Sequence, residues 1–228
     1  MSTLLALDTA TEACSIALLH EGEVTSKYEV IPRMHAHNLL PMIKKLLEDV
    51  GINLSTLDAI AFGRGPGSFT GVRIAVGVVQ GLAFALCLPV IPVSNLAVLA
   101  QRALREYGYS QVASAIDARM DEVYWGCYRE TAGEMCLMSA ESVRPPESAV
   151  LPCDASGDWF GAGTGWGYGE RIGVKLADQD STMLPHAQDL LTLSKLYFDR
   201  GESITADQAE PIYLRDKVAR SKYERGII

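Results

Sequence analysis

Positive charge is scarce in this sequence. Its 228 residues carry 20 Lys and Arg against 28 Asp and Glu, a formal charge of −8. Phosphate backbones are held by clustered cations, so a free-standing nucleic-acid binder is excluded. A nucleic-acid substrate would need another protein to hold most of it. A secretory leader is also missing from the reading: Leu4 to Leu7 is short, and Asp8 and Glu12 follow at once. The five cysteines (Cys14, Cys87, Cys127, Cys136 and Cys153) are odd in number, lack CxxC spacing and sit inside apolar runs. That pattern predicts buried thiols in a reducing, cytoplasmic compartment. Of the few histidines, His35 and His37 are two apart and do not share a helix face, so no metal is assigned. No apolar run reaches the roughly 20 residues of a membrane span. Arg73 and Gln80 interrupt the longest, and Pro89 closes it.

What is present centres on the stretch Gly63 to Pro92. It opens with a glycine-rich turn, Arg64-Gly65-Pro66-Gly67. Ser68 or Thr70 can cap a helix there, since a short hydroxyl side chain accepts from first-turn amides. The helix is predicted over Phe69 to Leu88, stopping before Pro89. From Ile74 to Leu88 only Gln80 is clearly polar. A surface helix needs one wet face and this one has none. It must be covered twice: by a sheet on one side, and by loops or another protein chain on the other. Gly77 and Gly81 stand four apart on one face, where they let a second backbone approach. The turn itself admits two readings. Helix-terminal amides beside Arg64 and Arg73 could hold an anion; equally, a strand-to-helix connection needs glycine for positive backbone angles. The lysine of a nucleotide P-loop is absent.

Around this stretch the chain alternates strands and helices. Thr3 to Leu7 is an apolar strand ending at Asp8. Cys14 to His20 and Glu23 to Ile31 follow as a hairpin about Glu21-Gly22. Asp8 either supports a metal or phosphate-bound water, or caps its own turn. Met34 to Val50 carries an amphipathic stripe and Gly51 ends it. Leu57 to Phe62 and Val90 to Val93 read as strands, and Asn95 to Tyr107 as a helix. Then the opening recurs. Val112 to Ile116 ends at Asp117, a second hairpin turns at Ala132-Gly133, and the two aspartates come into register. A strand ending in aspartate followed by a hairpin, twice over, points to a duplicated module. A second glycine set, Gly161, Gly163, Gly165, Gly167 and Gly169, alternates with Trp166 and Tyr168; Leu190 to Phe198 is a helix.

The run GPGSFTGVRIAVGVVQGLAFAL followed by PVIPVSNLAVLA closely resembles TsaB (YeaZ-type) proteins. LLALDTATEACSIAL, IDARMDEVYW and PIYLRD extend the resemblance over nearly the whole chain. It implies an α/β fold of the actin/sugar-kinase/Hsp70 (ASKHA) kind, with two duplicated subdomains, 1–108 and 109–213, facing a cleft, and a charged tail, 214–228. It implies a non-catalytic partner subunit that docks on a TsaD homologue and with it recruits the ATPase TsaE. That assembly transfers a threonylcarbamoyl group to adenosine 37 of ANN-decoding tRNAs. The chain would form a homodimer when alone and touch tRNA only through the complex. Arg73, Gly77, Val78, Gly81 and Ala85 are the interface candidates. Nucleotide or phosphate contacts, if this chain makes them, would fall to Asp8, Thr9, Gly65, Gly67, Asp117, Gly163 and Gly165. No cofactor is assigned to the chain alone; ATP or ADP could sit at the complex interface. Two departures set it apart from catalytic relatives of the fold. Neither Asp8-Thr9-Ala10 nor Asp117-Ala118-Arg119 supplies the glycine that lets phosphates approach in active kinases. Asn95 and Leu99 stand where TsaD-like subunits carry metal-binding histidines, and leucine cannot ligate. The alternatives are an independent actin-like ATPase or kinase using Asp8 and Asp117, and a homodimeric scaffold.

Overall fold

Leu4-Leu5-Ala6-Leu7 is apolar on both sides of the strand it forms, so that strand must lie inside a sheet covered on both faces. It does. In this computed structural model, which describes residues 2–153 and 156–215, β1 (Leu4–Asp8) is central to a five-stranded sheet. Leu5 and Leu7 enter one core, Leu4 and Ala6 the other. Strands β2 (Ala13–His20) and β3 (Glu23–Val30) continue antiparallel on one side, with Asp8 opposite Ser15. On the other side β4 (Ala59–Gly63) and β5 (Val90–Val93) run parallel to β1, giving the order β3-β2-β1-β4-β5. Parallel neighbours need crossovers. These are α1 (His35–Val50) and α2 (Phe69–Leu86).

Helix α3 (Asn95–Tyr107) leads into the second sheet. Its strands are β6 (Gln111–Arg119), β7 (Glu122–Thr131), β8 (Glu134–Leu137), β9 (Ser142–Arg144), β10 (Phe160–Ala162) and β11 (Asp178–Asp180). The order is β11-β10-β6-β7-β8, with β9 also on β7. Counted from its own meander and with β9 left aside, the second sheet repeats the first: third, second, first, fourth, fifth. This is the duplicated α/β module of the actin/sugar-kinase/Hsp70 fold. The two turn glycines match as well, Gly22 at φ 88° and Gly133 at φ 84°, in the left-handed region that glycine tolerates best.

The chain stacks in layers. Leu39, Leu46 and Val79 of α1 and α2 cover one face of the first sheet. Between the sheets lie α3 and α4 (Ala187–Asp199), with Leu99, Leu190 and Phe160 in that core. The outer face of the second sheet is closed by Trp125, Trp159 and Trp166 in place of long helices. The glycine–aromatic run is therefore structured: it forms β10 and a 3-10 segment, Thr164–Arg171, whose Trp166 Nε1 donates to the Ala113 carbonyl at 2.9 Å.

Three details differ from the sequence reading. Helix α2 ends at Leu86, because Cys87 adopts a left-handed conformation (φ 56°) and caps the last turn. Cys87 and Cys153 are exposed, while Cys14 and Cys127 are buried; all five thiols are free. The segment after residue 186 crosses back onto the first sheet. There the Ala187 amide donates to Ser15 Oγ (2.8 Å), Ile204 bridges Val90, and Gln80 Nε2 donates to the Ala209 carbonyl (2.9 Å). Of the tail 214–228, all beyond Arg215 lies outside the described residues.

Candidate functional site

Helix α2 starts at Ser68, whose Oγ accepts from the Gly71 amide. Val72, Ala75, Val76, Val79 and Ala83 are buried against the first sheet. The opposite face is left open, and it is apolar. Gly77, Gly81 and Ala85 are exposed, Ile74, Val78 and Leu82 half-buried, and Phe84 is 81% exposed. A Cβ placed on Gly77 or Gly81 would meet no atom within 4 Å. Among the described residues this is the one helix long and apolar enough to cross a membrane, and about a third of it (33%) is buried in the core. In its second turn Arg73, also exposed, lies over the Phe69 ring at 3.3 Å and 5.2 Å from the Tyr213 ring.

The N-terminal turn of α2 is fastened to the corner after β1. The Ser68 amide donates to the Ala10 carbonyl (2.7 Å), and Thr9 Oγ1 donates to the Gly71 carbonyl (2.7 Å). A Cβ on Gly67 would sit 2.9 Å from that of Ala10, and one on Gly65 (φ 101°) would lie 3.0 Å from the Ile212 carbonyl oxygen. The close approach these glycines permit is thus to the chain's own backbone. Asp8 is 0% exposed. Its carboxylate accepts from the Ala10 amide (3.1 Å) and from the Asn95 side-chain amide. Burial pushes its pKa up to about 6, against the pull of those two hydrogen bonds and of His35. Asn95 also accepts from the Gly65 amide (2.8 Å), so it ties Asp8 to the glycine turn.

Asp117 ends the equivalent strand of the second module and is half-buried. It accepts from the Arg119 amide (2.8 Å), from Arg119 Nη1 (2.8 Å) and from the Tyr168 hydroxyl (3.2 Å). Arg119 also reaches Glu12 of the first module at 3.7 Å. Gly163 and Gly165 pack on Ala115; a Cβ on Gly163 would come within 2.8 Å of Leu99 Cδ1. Each interface candidate therefore falls on the open face of α2. Each nucleotide candidate falls where protein groups already meet. No group of three or more His, Cys, Asp and Glu able to hold a metal occurs among the described residues.

A family model described as TsaD, tRNA N6-adenosine threonylcarbamoyltransferase, matches residues 23–156. The tRNA threonylcarbamoyladenosine biosynthesis protein TsaB of Escherichia coli K12 is 44% identical over 225 residues, covering 96% of this chain and 97% of its own. The Haemophilus influenzae protein of the same description is 43% identical, covering 96% of each. This chain belongs to the TsaB family. The solved structure of YeaZ from Pseudomonas aeruginosa superimposes with a TM-score of 0.92 at 64% identity, covering 94% of this chain and 100% of its own.

In this TsaB family member, three site features left no local mark in the sequence. Tyr213 meets Phe69 with ring centroids 5.9 Å apart. Arg215 donates to the Ala118 carbonyl (3.2 Å) and pairs with Glu122, clamping the hairpin tip where Arg119, Met120 and Asp121 all have positive φ. Glu141 accepts from both the Ser94 and Tyr128 hydroxyls, bridging α3 to β7. These partners are 13 to 144 positions apart in the sequence. For the first two, the only hint was that Tyr213 and Arg215 fall within the family run PIYLRD.

Proposed function

We propose that this TsaB family member is a partner subunit that docks through the outer face of α2 on a TsaD homologue. In that reading the pair engages the ATPase TsaE, and the assembly transfers a threonylcarbamoyl group to adenosine 37 of ANN-decoding tRNAs. The observation that carries it is the apolar, glycine-bearing face of α2, open along its length and crowned by an 81% exposed Phe84. Contiguous exposed apolar surface marks interaction sites, and Gly77 and Gly81 leave room for another helix backbone.

Two further observations support a partner role over independent phosphoryl chemistry. Arg119 occupies Asp117 with two hydrogen bonds, and the glycine turn is closed onto Thr9 and Ala10. ATP or ADP accordingly belongs at the interface of the complex. With a net charge of −8, the chain leaves the grip on tRNA to its partners. The same face can pair with a second copy when the partner is absent. Gly77→Leu tests the assignment: the side chain has open space in the isolated chain, so the variant folds, and it fails to bind the TsaD homologue. Binding as tight as wild type would show that the interface lies elsewhere.

A further inference from the structure

We propose that Arg73 selects the partner: the open face of α2 is built for a different chain that presents a carboxylate opposite Arg73, in preference to a second copy of this one. This rests on the docking role proposed above.

Arg73 is the only charged residue on α2. It is exposed, and no carboxylate lies within ion-pair distance of it among the described residues. Its guanidinium lies over the Phe69 ring at 3.3 Å and 5.2 Å from that of Tyr213. Both rings are exposed, Phe69 at 60% and Tyr213 at 49%. Stacking restrains a guanidinium through its flat face and leaves the N–H fork at its edge free, which is the geometry that takes a carboxylate. Arginine and tyrosine are also the residue types that dominate interface energetics.

Docking covers this cation, and a covered cation is costly unless it is paired. Helix α2 of a second copy carries no carboxylate; the exposed Asp207 and Glu210 beside it flank Ala209, which is held at Gln80, midway along the helix and seven positions from Arg73. Paired in parallel, it sets one Arg73 against the other. Paired antiparallel, it sets Arg73 against the apolar end around Phe84 and Ala85. A different chain with a similar small, apolar helix face and one aspartate or glutamate satisfies both requirements: close backbone approach at Gly77 and Gly81, and a partner for Arg73. A single covered charge left unpaired then penalises the wrong partner more than its pairing strengthens the right one.

The test compares wild type, Arg73→Leu and Arg73→Glu. Affinity for the TsaD homologue of the same organism is measured by titration calorimetry at low and high salt, and self-association by sedimentation equilibrium. Thermal midpoints serve as the folding control, since Arg73 is exposed. The expected result is that Arg73→Glu weakens the mixed complex by roughly thirtyfold or more. Arg73→Leu removes the salt dependence shown by wild type. Self-association of both variants is unchanged or tighter. A wild-type complex that Arg73 variants match in affinity and salt dependence overturns the inference and leaves the docking role standing. So does a loss of self-association as large as the loss of mixed binding. No wild-type complex at all overturns the docking role and this inference together.

Discussion

Replacing Gly77 and Gly81 with alanine acts on stability and on association with opposite signs. In the isolated chain an added Cβ at either position meets nothing within 4 Å, so there is no steric cost. Alanine is favoured over glycine in a helix interior by about 0.8–1 kcal/mol. The double substitution therefore stabilises the chain by about 2 kcal/mol. For a domain of this size about 1 kcal/mol raises the thermal midpoint by about 2–4 °C, so the midpoint rises by about 4–8 °C. In the complex the same two methyl groups stand where backbones approach. Overpacking costs about 1–3 kcal/mol per site, so affinity for the TsaD homologue falls at least about fivefold for each substitution. Circular-dichroism melting reports the first effect and titration calorimetry the second. A double variant that melts higher and also binds as tightly as wild type would refute the idea that the glycines serve helix contact. One that melts lower would show that the face is not free in the monomer.

Two further outcomes concern the interior. Burial lifts the Asp8 carboxyl to about 6, above its value of about 3.9 in an unfolded chain. The folded state then binds more protons between those values, and the stability this group contributes is lost as pH rises from about 4 through 6. Across that window wild type loses about 3 kcal/mol relative to Asp8→Asn; a difference in urea stability that does not change with pH refutes this environment. Arg105 grips Asp189, which is buried, through two hydrogen bonds of 2.7 and 2.8 Å and so ties α3 to α4. Arg105→Ala leaves that carboxylate buried and unpaired, costing about 2–3 kcal/mol once solvent at the part-exposed guanidinium is allowed for; a loss under about 0.5 kcal/mol in chemical denaturation contradicts it.

Much of the frame was legible because it rests on local periodicity. Leu4 to Leu7 reads as a doubly buried strand, the stripe Leu39, Ile43, Leu46 reads as a helix face, and Gly22 and Gly133 mark matching turns. Helix α2 was legible as an apolar helix packed on the sheet; of the two coverings its composition called for, the described residues supply the sheet side, and its outer side is apolar and open. The rest depends on contacts between distant residues, which leave no period to read. The return of α4 to the first sheet hangs on Ala187 reaching Ser15, 172 positions away. Asn95 shows no sign in the sequence that it will tie Asp8 to Gly65. The glycine turn kept two readings because glycine serves anion binding and positive backbone angles alike; Gly65 at φ 101° shows the second in use, and the close approach of Gly67 to Ala10 was not foreseen. The exposure of Cys87 followed from a helix ending two residues earlier than Pro89 alone required.

The most direct measurement is size-exclusion chromatography with light scattering, on the chain alone and mixed with the TsaD homologue of its own organism, with and without ATP. The docking account predicts a new one-to-one species at micromolar concentration, with any self-associated form consumed as it appears. Separate elution of the two proteins, with the self-associated form unchanged in every condition, would contradict it.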